Sequence, residues 1–177
     1  MRQILFTTIL LFFSVTSTFA NGIVIPTAFK ANFTQIVKNT KGKVIKYRGT
    51  IVFNSPSETK WIYNYPTKKE VCSSGNNLVI IDHDLEQVSY YTIDKGLNLS
   101  KVLRSAKLHK GRTYVANFKG KNYTIVLTPT GKIEQIAYMD NLDNQVNIIF
   151  TNTNYFDKLL NPRKFICARP KGYDAIY

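Results

Sequence analysis

The sequence predicts a mainly β chain with a short helix, folded as one curved antiparallel sheet or a barrel. Three observations predict it. Short segments rich in β-branched and aromatic residues recur between Gly, Pro, Asn and Asp. Apolar residues alternate along those segments with the period of a strand. A single segment changes to the period of a helix. The chain has 177 residues, enough for one domain with its own core. Its 44% hydrophobic and 13% aromatic content excludes a disordered basic tail.

Residues 1–20, MRQILFTTILLFFSVTSTFA, read as a secretory signal peptide. Arg2 supplies the positive end, Ile4 to Val15 the short apolar stretch, and Thr18 and Ala20 the small residues before a cleavage site. The mature domain is then 21–177. No later stretch approaches the roughly 18 apolar residues of a membrane span, so the expected product is soluble and outside the cytoplasm. Cys72 and Cys167 enter an oxidising compartment there, where they can pair if the fold brings them together.

The strands follow in order. Segment 47–53 sets Tyr47, Gly49, Ile51 and Phe53 on one face, and 60–65 sets Trp61, Tyr63 and Tyr65 on one face. Segment 78–82, with Leu78 and Ile80, is apolar on both faces, and 87–93 alternates Val88, Tyr90 and Thr92. Gly120-Lys121 separates 112–119 from 122–128 as a hairpin turn. Tyr114, Ala116 and Phe118 share a face before it; Tyr123, Ile125 and Leu127 share one after it. A turn near Asp140-Asn141 separates 133–139 from 145–151, where Val146, Ile148 and Phe150 align.

In 97–108, Leu99, Val102, Leu103 and Ala106 fall at helical spacing, with Asn98 or Ser100 as the cap. The stripe must lie on something, and the concave face of a half-closed sheet is the natural place. Such a helix is either a fixed core element or a lid. A second short helix is expected over 154–160, ending before Pro162.

Chemistry-bearing motifs are scarce. There is no Gly-rich phosphate loop, GxSxG elbow or HExxH. Asp82-His83-Asp84 reads as a polar hairpin turn, since in a strand both carboxylates would point away from the imidazole. No catalytic residue, metal site or cofactor is assigned. The formal charge of +13 points to an anionic partner or to AT-rich codon bias, because Lys, Asn and Ile are all plentiful. Between Asp94 and Glu134 no acidic residue occurs, and Arg104 and Lys107 lie in that stretch. It reads as a solvated face or as a docking surface. Nucleic acid is not expected of a secreted chain without a binding motif.

The ordered motifs resemble those of the periplasmic outer-membrane lipoprotein carrier family, LolA. Ala28 to Gln35 (AFKANFTQ) is similar to its opening strand, and Pro56, Trp61 and Pro66 to its P-x4-W-x4-P element. Ser74-Gly75, Leu78 and Asp82 resemble the next strand and turn, and Leu85 to Val88 the strand start after it. Asn147 to Asn152 resembles a late strand. Phe165, Pro170, Gly172, Asp174 and Ile176 resemble the ending. The family pattern often has Arg before the motif proline, where Ser55 stands here, and a bulky apolar residue where Thr59 stands.

The resemblance implies an unclosed antiparallel β-barrel, a half-pipe with a short helical lid over a hydrophobic cavity. It implies a monomeric periplasmic chaperone of a Gram-negative bacterium. Its cargo would be acylated lipoproteins, received from an inner-membrane ABC transporter and passed to a lipid-anchored outer-membrane acceptor. Burying acyl chains yields about 0.8 kcal/mol per CH₂, so the task needs apolar surface rather than catalysis. The expected cavity lining is Phe33, Ile51, Phe53, Trp61, Tyr63, Leu78, Ile80, Tyr90, Tyr123, Ile125 and Leu127. The expected lid contacts are Leu99, Val102, Leu103 and Ala106, with Arg104 and Lys107 as docking residues. A lipid- or lipoprotein-sensing regulatory module and a basic polyanion-binding protein are the alternatives.

Overall fold

A computed structural model describes residues 22–92 and 98–177. The expected signal peptide lies outside the described residues, as do 93–97. The elements run β1 Ala28–Lys38, β2 Val44–Asn54, β3 Glu58–Tyr65, β4 Lys69–Ser74, β5 Asn77–Asp82 and β6 Gln87–Thr92. Helix α1, Leu99–Ser105, follows, then β7 Lys107–Lys110, β8 Thr113–Phe118, β9 Lys121–Leu127, β10 Ile133–Met139 and β11 Gln145–Phe156. A 3₁₀ turn at Pro162–Phe165 and β12 Asp174–Ile176 complete the chain.

All 12 strands form one sheet, ordered β12-β6-β5-β4-β3-β2-β1-β11-β10-β9-β8-β7. The edge strands β12 and β7 do not pair with each other, so the barrel is unclosed. Every pairing is antiparallel except β12 on β6. The fold class read from the alternation is the observed one.

Opposed residues in an antiparallel pair share a face, so the register sorts the side chains. Phe33 faces Gly49 and Phe150; Ile51 faces Ala31 and Trp61; Phe53 faces Phe29 and Thr59. Ile136 links Ile125 to Ile148. These rows form the concave face. Phe29, Ile51, Phe53, Ile125 and Ile136 are fully buried there, in one cluster with Leu99, Val102 and Leu103.

Gly49 is a packing requirement of this face. A Cβ there would overlap the Ile62 carbonyl oxygen and meet the Phe33 ring. The register also shifts between Arg48 and Gly49, which bends β2 where the rings crowd.

The convex face is strapped by the C-terminal segment. Asn54 is buried and holds Leu160 on both sides: Nδ2 donates to its carbonyl at 3.0 Å and Oδ1 accepts its N–H at 2.9 Å. Cys72 and Cys167 form a disulfide. Lys60 Nζ donates to the Ile166 carbonyl at 3.0 Å, and the Tyr173 hydroxyl meets His83 Nδ1 at 3.1 Å.

Three local expectations change. The helix expected over 97–108 covers Leu99–Ser105 and stops because Ala106 is extended and Lys107 begins to pair with Val115. The helix expected over 154–160 is absent: Asn154, Tyr155 and Phe156 pair with Lys30, Phe29 and Ala28, so β11 continues to Phe156. The hairpin turn falls at Lys119-Gly120, one residue early, with φ of 50° and 74°.

The disulfide spans a sequence separation of 95 residues. Cys72→Ser should therefore lower stability by about 2–4 kcal/mol in urea unfolding; an unchanged midpoint would remove the disulfide from the strap's support. Gly49→Ala should cost about 1–3 kcal/mol by overpacking in the same measurement, and a neutral effect would contradict the tight β2–β3 approach.

Candidate functional site

Helix α1 begins at Asn98, whose side chain accepts from the Lys101 N–H at 3.1 Å. That satisfies one of the free donors at the helix start. Ser105 Oγ donates to the Val102 carbonyl at 3.0 Å near the other end. The helix has 7 residues, too few to be stable in water without tertiary contacts. Its apolar stripe supplies them: Leu99, Val102 and Leu103 are at most 2% exposed. Ala106, the residue after the helix, is buried with them.

Arg104 points back along the helix. Its Nε and Nη2 each lie 3.4 Å from Ser100 Oγ, and Nη2 also lies 3.4 Å from Ser55 Oγ. Ser55 sits in the turn between β2 and β3, so this contact ties α1 to the sheet. A cation on the helix meets a hydroxyl on the sheet at the position before Pro56. Lys107 lies beyond the helix, exposed on edge strand β7.

Beside the helix-filled part, the concave face continues as an open hollow of about 540 Å³. Val37, Ile45, Tyr47, Tyr63, Val71 and Ile80 supply its apolar wall. Its rim is polar, and Asn39 and Asp140 there are engaged in turns. Asn39 Oδ1 accepts the Lys41 and Lys43 N–H groups at 3.0 and 2.8 Å. Asp140 Oδ1 accepts from Leu142 and Asn144 at 2.8 and 3.0 Å. Burial alone would raise the Asp140 carboxyl, but these bonds and the Asn144 amide hold it below the usual carboxylate range. At the floor, Lys69 pairs with Asp82 at 2.7 Å.

An aromatic ladder separates the hollow from the filled core. Phe33 stands edge-on to both Trp61 and Tyr63, with centroids 5.0 Å apart in each case, and Tyr47 stands edge-on to Tyr63 at 5.9 Å. The Tyr63 hydroxyl donates to Gln35 Oε1 at 2.9 Å. Burial, then the neighbouring Tyr138 and Tyr47, pushes the Tyr63 phenol far above its ordinary range, so the ring stays neutral. The wall therefore offers apolar rings and aliphatic groups, with the Tyr63 hydroxyl already paired. Chemically it can cover hydrocarbon.

The expected lining residues separate into groups. Phe33, Ile51, Phe53, Trp61, Tyr123, Ile125 and Leu127 are in the core cluster shared with α1. Tyr63 and Ile80 line the hollow, and Leu78 lies on the same concave face, opposite Ser73. Tyr90 is a correction. It opposes Val79, which opposes Cys72, which opposes Lys60, so it lies on the convex face. There it stacks on Tyr177 at 5.2 Å. The alternation in 87–93 is real, but the outward row is buried by the C-terminal strap, so burial does not identify the concave side. Val37, Ile45 and Val71 were missed. The alternation of Phe33, Gln35 and Val37 along β1 was the available signal.

The triplet Asp82-His83-Asp84 closes a turn. Asp82 Oδ1 accepts from the Asp84 and Leu85 N–H groups, each at 3.2 Å. Among the described residues, no three metal-ligating side chains cluster.

Residues 26–165 match the family described as "Outer membrane lipoprotein carrier protein LolA". An outer-membrane lipoprotein carrier protein of Campylobacter jejuni is 35% identical over 148 residues, covering 84% of this chain and 85% of that one. One of Helicobacter hepaticus is 28% identical, covering 84% and 83% respectively. The fold is shared with an uncharacterised conserved protein of Thermus thermophilus at a TM-score of 0.54 and 7% identity, covering 86% of this chain and 91% of that one. With its half-pipe, its inserted helix and a match across most of its length, the chain belongs to the LolA family of outer membrane lipoprotein carrier proteins.

Proposed function

We propose that the protein is a periplasmic lipoprotein carrier, with α1 as the lid of its acyl-chain site. One observation supports this reading most directly. A short helix held mainly by apolar packing plugs a half-pipe that continues into an open apolar hollow. Family membership supplies the cargo class, since the curated relatives are named as outer-membrane lipoprotein carriers.

The energetics favour exchange. Exposing each buried Leu or Val of α1 costs about 1.5–3 kcal/mol, and its tie to Ser55 is a long hydrogen bond. One acyl chain of about 16 carbons releases roughly 13 kcal/mol on burial. An acyl chain entering past Tyr63 replaces helix contacts with equivalent hydrocarbon contacts. The sheet need not unfold, because its strands hold one another through backbone ladders. The cargo would arrive from an inner-membrane ABC transporter and leave to an outer-membrane acceptor, with Arg104 and Lys107 at the docking surface beside the lid.

Hydrogen exchange tests the lid. The Val102 and Leu103 amides should exchange through a local opening, well before those of β1 and β11. Exchange of all of them together, at the rate of global unfolding, would make α1 a fixed core element. Leu103→Glu cannot keep its charge buried unpaired, so the helix should undock and acylated-peptide retention should fall. Unchanged retention would refute the placement of α1 over the cargo.

Docking is tested separately. Arg104→Glu with Lys107→Glu should slow transfer of a labelled lipoprotein to acceptor membranes, more so at low salt. Arg104→Ala, which removes the contacts to Ser55 and Ser100 without adding a negative charge, serves as the comparison. Equal transfer by the charge-reversed and wild-type proteins would return both residues to a solvated surface.

A further inference from the structure

The convex face carries a second cavity, of about 560 Å³. It lies across the sheet from α1. Its floor is built on β1, β2 and β3, where Lys30, Val52 and Lys60 oppose one another in a row. Asn152 and Asn154 of β11 also line it, as do Arg163 and Lys164 of the 3₁₀ turn. No carboxylate lines it.

The cations divide by partner. Lys60 is neutralised by Glu70 at 2.7 Å. Among the described residues, Lys30, Arg163 and Lys164 make no ion pair with a carboxylate. Lys30 instead lies 5.9 Å over the Phe156 ring. The neighbouring Lys164, a second cationic side chain beside it, holds Lys30 below the usual lysine range. Like charges brought this close disfavour one another, and an anion between them removes the repulsion.

The cationic wall is fixed in place. Asn161 Oδ1 accepts the Arg163 N–H at 2.9 Å, and Pro162 opens the turn. Just beyond, Cys167 is bonded to Cys72, the residue that opposes Lys60 in the sheet. A surface arranged only for solubility has no need of a stapled wall carrying uncompensated cations.

We propose that this convex cleft binds an organic phosphate. Its phosphate group lies between Lys30, Arg163 and Lys164, and its body lies against Val52 and the asparagine amides. The volume falls within the usual range of small-molecule sites. Arg recognises phosphate as a planar fork and Lys as a point charge. A phospholipid headgroup and a soluble phosphate ester share this chemistry. Because the cleft and the acyl hollow lie on opposite faces of the sheet, one can be occupied without the other.

Titration of the isotopically labelled protein by NMR tests it, with glycerol 3-phosphate and with dihexanoyl phosphatidylglycerol below its micelle concentration. Saturable shifts at Asn152, Asn154, Arg163 and Lys164 are expected, absent with glycerol alone. The tighter of the two ligands identifies the source. Lys30→Gln with Lys164→Gln should weaken binding by about tenfold or more, with acylated-peptide binding unchanged. Arg163→Gln, at an exposed position, should weaken it in the same sense. The proposal is overturned if neither phosphate compound gives saturable shifts, or if all variants bind as the wild type does.

Discussion

An unclosed sheet with an apolar inner face has to cover that face, and this requirement shapes the rest of the molecule. Edges β7 and β12 do not meet, so the strands cannot fill the hollow from all sides. The sheet's own aromatic side chains fill part of it. Leu99, Val102 and Leu103 fill more, from a helix too short to stand alone. What remains is open, with Ile45 38% exposed at its wall. Helix and sheet thus depend on each other unequally. Without the sheet α1 has no reason to be helical, whereas without α1 the sheet keeps every ladder and loses only apolar cover.

The two faces are held by different kinds of interaction. On the convex side, a disulfide, the paired Asn54–Leu160 hydrogen bonds and the Lys60–Ile166 contact fasten the C-terminal segment. These are covalent or directional, so they fix position. On the concave side, α1 is held mainly by apolar contacts, which are non-directional and scale with area. Hydrocarbon from another source satisfies the same face. The replaceable contacts are therefore concentrated on the concave face, and the directional ones on the convex face.

Much of this was legible in the sequence. The two-residue period marked the strands from 47 to 65 and from 112 to 151, because each has one face in a core and the other outside it. The helical spacing of Leu99, Val102, Leu103 and Ala106 marked α1. The errors came where tertiary structure overrides local pattern. Residues 154–156 read as helix, yet their backbone groups are taken by β1. Tyr90 read as interior, because a strap from residues far along the chain buries the outward row too. Most of the expected lining consists of the most apolar residues, which fill the core cluster, while Tyr63 and Ile80 border the open hollow. An empty space is lined by residues of middling burial such as Val37, Tyr47 and Val71. No local property of the sequence separates a ring that fills a core from a ring that borders a cavity.

The basic excess also resolves into parts with different physical standing. Lys60, Lys69 and Arg112 are paired with Glu70, Asp82 and Glu134, and Lys132 donates to the Thr153 carbonyl. Lys107 and Lys110 lie on edge strand β7, where charge discourages pairing with another chain's strand. Codon bias can raise the number of lysines, but it does not place four cations around one cleft and leave carboxylates out of its lining. Composition and clustering are separate observations. The first sets how many charges the chain carries, and the second, fixed by the register of β1 to β3 and the capped turn at Pro162, sets where their field is strongest.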